Sequence, residues 1–206
     1  MANWAHLFNV KIPTSDPSVF LADDDNGQAQ SLEVADSAYC LPVPWLLCFR
    51  GAELHPVRVP LVNWRDDTPA GEVVMQLPFV TVEQAVRNLE RSQALFLQLA
   101  GDAELGTQYW REACEGLVEM PWPYLAMDPV EVLLGGWDDF DASLRRCFDG
   151  DAPDVTTLCE LSGVVEGLAP YPVDWMRRGR SDELTDEDKL STSKGLWPSY
   201  LRSSAG

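Results

Sequence analysis

Residues 22–33, ADDDNGQAQSLE, carry the oxygen-rich spacing from which calcium loops are built. An EF-hand-type loop takes oxygen ligands from its first, third and fifth positions, glycine at the sixth and a bidentate glutamate at the twelfth. With Gly27 in the sixth place, Asp24, Asn26 and Glu33 fall where ligands belong, but the first place is Ala22, which has no side-chain oxygen. Pro13 and Pro17 also break the segment where an entering helix would run. The residues favour an acidic surface turn in which Asn26-Gly27 supplies left-handed backbone.

Two further carboxylate clusters, WDDFD at 137–141 and DGDAPD at 149–154, offer Asp138, Asp139, Asp141, Asp149 and Asp151 as metal ligands or an acid–base pair. Helix capping and first-turn charge explain Asp138, Asp141 and Asp154 more simply. The other reactive types are sparse. His6 falls on the apolar side of a strand pattern and His55 precedes a proline, and neither has a nucleophile in a known context. Phosphate-loop, dinucleotide and zinc-protease spacings are missing from the sequence. Cys40, Cys48, Cys114, Cys147 and Cys159 are odd in number, widely spaced and without a C-x-x-C pair, which fits reduced thiols better than disulfides or zinc. The expectation is a protein without catalytic residues, metal or cofactor.

The elements that would position these groups change character along the chain. Trp4, His6, Phe8, Val10 and Ile12 alternate with Ala5, Leu7, Asn9 and Lys11, a strand period with the even residues inward. The apolar run LPVPWLLCFRG at 41–51 follows, then HPVRVPLVN at 55–63 and EVVMQLPFV at 72–80, the latter with Val73, Met75, Leu77 and Phe79 on one face. Pro60 and Pro78 each remove a ladder donor, so their strands lie at an edge or end there. From residue 81 the period becomes helical. Thr81 and Gln84 form a capping box before a stripe of Val82, Val86, Leu89, Phe96 and Ala100. A second helix is predicted from about Thr107, with Trp110, Ala113, Cys114 and Leu117 inward and Glu112, Glu115 and Glu119 outward. Asp128-Pro129 opens a short helix ending at Gly135-Gly136, and another carries Phe140, Leu144, Cys147 and Phe148 up to Gly150. Asp154 caps a further short helix, and TDEDKLSTS starts a last turn at Thr185. The fold class predicted is α+β: an N-terminal antiparallel sheet of about four strands over residues 1–80 and a mainly helical part over 81–206, forming one domain.

Charge is the strongest global signal. Thirty-three acidic residues against fifteen basic ones give a net charge of −18. Between Asp102 and Asp174, sixteen acidic residues face Arg111, Arg145 and Arg146, a net of −13. Such a surface repels nucleic acid and anionic membranes and speeds encounter with a basic protein. No stretch reaches the length of a membrane span, and the start MANWAHLFNVKIP lacks the pattern of a secretory signal, so a cytoplasmic location is expected. Aromatic residues in the acidic half are candidate interface anchors, foremost Trp122 and Tyr124, which MPWPYLAMDP holds in a proline-stiffened loop, together with Trp137.

The start MANWAHLF, the strand-rich first third with VPWLLCFRG and the acidic helical remainder resemble bacterial immunity proteins, encoded beside polymorphic or type VI secreted toxins. The resemblance covers about the first eighty residues. It implies a stoichiometric inhibitor, alone or in a heterodimer with a cognate toxin acting on nucleic acid, nucleotides or translation, and it assigns no individual residue. The partner-binding candidates therefore come from charge and aromatics: Trp122, Tyr124, Trp137, Asp138, Asp139, Asp141, Asp149, Asp151, Glu112, Glu115 and Glu119. Two alternatives stand beside this reading. One is an adaptor for another basic protein, and the other a divalent-metal hydrolase using the aspartate clusters.

Overall fold

The computed structural model describes residues 4–38, 41–62, 68–100, 103–131, 140–150 and 152–162. Five strands form one antiparallel sheet: β1 (Trp4–Val10), β2 (Ser31–Ala38), β3 (Leu54–Val62), β4 (Pro69–Thr81) and β5 (Tyr124–Asp128), in the spatial order β2-β1-β5-β4-β3. The architecture is α+β, with the sheet drawn mainly from the N-terminal part and helices following. Its middle strand, however, comes from the helical half. β5 lies inside MPWPYLAMDP, the segment predicted to be a loop, and buried Asn9 pins it there. The Asn9 side-chain amide donates to the carbonyls of Trp122 (2.8 Å) and Tyr124 (2.7 Å), and its oxygen accepts the Trp122 N–H at 2.9 Å.

The sheet is buried on both faces, which inverts the expected orientation of β1. Ala5 and Leu7 face the main core, whereas Phe8 and Val10 pack on the other side with Phe20 and Ala126. The small patch on that side is closed by α1 (Pro17–Phe20), capped by Asp16, which accepts the Ser18 N–H. A bulge in β2 opposite Leu7 and Phe8 leaves Val34 without a cross-strand partner, so that Val34 and Ala35 both enter the main core. β4 switches faces as well. Leu77 and Val80 sit in the main core, but Phe79 crosses to the second patch, against the expectation that it shares a face with Leu77. Pro78 stands at the switch, where pairing with β3 ends and pairing with β5 begins, so its missing N–H interrupts no continuous ladder.

The helices cover the main face: α2 (Val43–Leu47), α3 (Val82–Arg91), α4 (Gln93–Ala100), α5 (Ala103–Val118), α6 (Phe140–Phe148) and α7 (Val155–Ser162). The run at 41–51, placed in the strand-rich part by sequence, is helix α2 and a following 3₁₀ turn (Gly51–Glu53). Pro42 caps it and Pro44 stands in its first turn, where a missing N–H costs nothing, and all five of its residues are buried. The backbone at Gly51 approaches α6 closely: a Cβ there would lie 3.1 Å from the Phe148 carbonyl oxygen, so a larger residue would press that turn outward by a few tenths of an ångström. The single helix expected from residue 81 is two. Thr81 caps α3 by accepting the Gln84 N–H at 3.1 Å, and Ser92 breaks the run before α4. The DPVE helix start is seen only as Val130 donating its N–H to Asp128 Oδ1 (3.1 Å), and its continuation to Gly135 lies outside the described residues. Asp154 caps α7 through the Thr157 N–H at 2.9 Å, as its spacing suggests. The turn at Thr185 also lies outside the described residues.

Candidate functional site

Glu104, Thr107, Gln108, Arg111, Glu112 and Glu115 recur along α5 at steps of three and four and so occupy one stripe of the helix. They line a depression of about 590 Å³. The opposite stripe explains why the helix lies this way: Tyr109, Ala113 and Leu117 are buried in the main core, and the Trp110 indole N–H reaches the Leu89 carbonyl at 3.4 Å. Within the depression Gln108 donates to the Glu112 carboxylate at 3.1 Å, and Thr107 donates to the Ala103 carbonyl at 2.6 Å. The named lining is polar: the carboxylates of Glu104, Glu112 and Glu115, the Gln108 amide, the Thr107 hydroxyl and the Arg111 guanidinium. Three carboxylates against one guanidinium leave the stripe net negative.

The electrostatics of α5 are mixed: Glu104 suits the first turn and Arg111 stands four residues before Glu115, but the last turn is acidic. No basic residue stands in its last turn; Glu115 does, and exposed Glu119 follows one turn on, where the helix dipole presents its negative end. Glu112 with Glu115, and Glu115 with Glu119, are like charges at helical contact spacing. Beside them Val118 is 70% exposed. Negative potential is thus concentrated at the helix end that the dipole favours least for acids, at a small cost in helix stability.

Three of the sequence candidates, Glu112, Glu115 and Glu119, are brought together here, and sequence reading missed Glu104, Gln108 and Arg111 on the same stripe. The signal was the i, i+4 relation of Glu104 to Gln108 and of Gln108 to Glu112, hidden by starting the helix at Thr107 instead of Ala103. Trp122 and Tyr124 are placed elsewhere. Tyr124 lies on the second face of the sheet, stacked on Phe79 with ring centroids 5.2 Å apart, while α5 packs on the main face. Trp122 is half-buried in the bend before β5, its backbone held by Asn9, whereas Tyr124 is in the strand and not in the stiffened loop expected. Asp149 is exposed after α6. Trp137, Asp138, Asp139 and Asp151 lie outside the described residues, as does the side chain of Asp141.

The calcium-like stretch is an Asx turn. Asp24 Oδ1 accepts the N–H groups of Asn26 (2.8 Å) and Gln28 (2.9 Å), which hold its carboxyl below the usual range, and Gly27 takes φ +71°. Glu33 belongs instead to β2, where it meets His6 Nδ1 at 2.7 Å. On the same side of the sheet Asp128 is mostly buried, and that burial pushes its carboxyl up despite the bond from Val130 and the neighbouring His6.

A second polar cluster knits α2 to α3. Arg50 donates to the carbonyls of Phe49 (2.6 Å) and Asn88 (3.1 Å) and to Ser92 Oγ (2.6 Å), and buried Asn88 donates to the Cys48 carbonyl (2.9 Å) and the Glu53 carboxylate (2.9 Å). Burial raises Glu53 and lowers Arg50 from their ordinary values. Every side chain in the cluster is spent on a backbone or neighbour bond, which makes it a structural brace. Cys48 and Cys147 are buried and Cys114 and Cys159 half-buried, all unpaired as disulfides. Among the described residues no helix is long and apolar enough to cross a membrane. Comparison with protein-family models, with curated proteins and with solved structures finds no match to the chain.

Proposed function

We propose that this protein is a stoichiometric binding protein of the immunity type, which captures a basic toxin domain through the acidic stripe of α5 and neutralises it in the cytoplasm. The observation that carries this reading is the accumulation of Glu112, Glu115 and Glu119 toward the helix end that least favours them, on a chain of net charge −18. A cationic surface docking there would remove the repulsion and gain from the dipole, and charge complementarity would speed its capture. The half-polar rim with exposed Val118 supplies apolar contact beside the charge.

The test is co-expression of the tagged protein with the product of the neighbouring gene, followed by purification and mass measurement. A one-to-one complex that weakens with salt, and weakens further in the double variant Glu112→Lys/Glu115→Lys, is the expected result. A complex indifferent to both salt and these substitutions, or no complex, would overturn the proposal.

A further inference from the structure

The two edges of the sheet are finished differently. β3 carries Pro56 and Pro60, which remove donors and blunt its edge. β2, at the opposite edge, is eight residues long and contains no proline. Its inner side pairs with β1 on both sides of the bulge at Val34, which divides it into the runs Ser31–Glu33 and Ala35–Ala38. In an antiparallel ladder alternate residues turn their N–H and C=O groups away from the partner, and no strand of the described residues pairs with that outer row on β2. An edge that no described strand covers is a template for another extended chain.

Charge decides which chain. Glu33, one of whose carboxylate oxygens meets His6 Nδ1 at 2.7 Å, and Asp36 are exposed on β2, with Leu32 partly exposed beside them. If two copies met edge to edge, the antiparallel register that pairs all of Ser31–Ala38 would set Glu33 of each copy opposite Asp36 of the other. Like charges directly opposed destabilise a strand pair, so the edge rejects its own kind. A strand with lysine or arginine at those positions gains attraction instead. We propose that the β2 edge accepts an extended, lysine- or arginine-bearing segment of a partner protein as an added strand. This surface is separate from α5 and stands or falls independently of it.

The probe is an acetylated peptide of alternating lysine and valine, as long as β2, and the same peptide methylated on its backbone amides, which keeps the charge and removes the ladder donors. Both are titrated into the full chain, with amide chemical shifts and hydrogen exchange as readouts. The unmethylated peptide is expected to shift the amides of Ser31–Ala38, to slow exchange of the outward amides of β2, and to bind at least about tenfold more tightly than the methylated form. Binding should be lost in Glu33→Lys/Asp36→Lys and kept in Glu112→Lys/Glu115→Lys. Equal binding of the two peptides, shifts centred on α5, or absence of binding at millimolar peptide would overturn the proposal, and the peptide comparison does so without relying on any variant.

Discussion

If the acids at the end of α5 are held against the helix's own electrostatics, replacing one by a base should stabilise the protein while weakening its capture of a cation. Glu119→Lys is the cleanest case, because Glu119 is exposed and its backbone N–H bonds the Glu115 carbonyl at 3.1 Å, so position 119 lies one helical turn from Glu115. Removing the repulsion with Glu115 is worth about 0.3 kcal/mol, and the attraction that replaces it about 0.3–0.5 kcal/mol, in the favourable orientation of acid before base. A cation beside the helix C-terminus adds about 0.3–1 kcal/mol. The sum, about 0.9–1.8 kcal/mol, raises Tm by about 2–7 °C for a chain of this size. Calorimetry at low salt reads the gain directly, and Glu119→Gln, which removes charge without reversing it, should give about half. At 1 M salt the Debye length falls to about 3 Å, so most of the difference should vanish. A lysine variant no more stable than the parent at low salt, or a gain that survives high salt, would refute the reasoning, and with it the view that α5 sacrifices stability for recognition.

The brace between α2 and α3 gives a second test: Asn88→Ala leaves the Cys48 carbonyl without its Asn88 donor and the Glu53 carboxylate with only the Arg50 N–H, a loss of about 3 kcal/mol in urea unfolding that shrinks in acid as Glu53 protonates, and a loss below about 1 kcal/mol would count against the brace. Asp128→Asn keeps the cap on Val130 but removes a carboxyl whose folded pKa burial has raised. The parent's acid therefore contributes stability only below its ordinary value of about 3.9 and loses it as pH rises through the folded value, so the asparagine variant should melt higher at pH 7 and the gain should disappear below about pH 4. Asp154 is shifted the other way, below the usual range by the Thr157 hydroxyl and amide. Asp154→Ala should accordingly cost about 1 kcal/mol at neutral pH, with parent and variant converging in strong acid, as thermal melts across pH would show. Burial pushes the Cys147 thiol up to about 12 and Cys114 up to about 11, and raises Cys48 further still, so a thiol reagent at pH 8 should label these three slowly in the native protein and rapidly in denaturant, as mapped by mass spectrometry.

What could be read from sequence was what local chemistry decides. The caps at Thr81 and Asp154 and the glycine at 27 are legible because the bonds they make lie within four residues. The outward stripe of α5 follows from its period. Misreadings arose where burial is complete and periodicity therefore carries no information. α2 shows no apolar–polar alternation because no side of it meets water, and its prolines suggest loop or edge while they serve as cap and first turn. β5 has the same difficulty: Leu125, Ala126 and Met127 are all buried, so neither face stands out. The orientation of β1 was inverted because both of its faces are packed, and the larger side chains lie on the smaller patch. The candidate site split for a related reason. Trp122 and Tyr124 follow closely on Glu119 in sequence, but a central strand begins between them and sends Tyr124 to the far side of the sheet.

The insertion of β5 also sets an order of assembly. β2 pairs with β1 and β4 with β3 by connections within about the first eighty residues, yet the two pairs are joined in one sheet only by a strand that begins 115 positions beyond Asn9. During synthesis the inner edges of β1 and β4 remain unsatisfied while α3 to α5 are made, a period in which the half-built sheet is open to mispairing. Joining them is a long-range step of high contact order, and it should govern the folding rate, since the loop-closure entropy must be met before the ladder rewards it. A substitution at Asn9, which fixes the register of that final strand, would on this view slow refolding more than its equilibrium cost suggests.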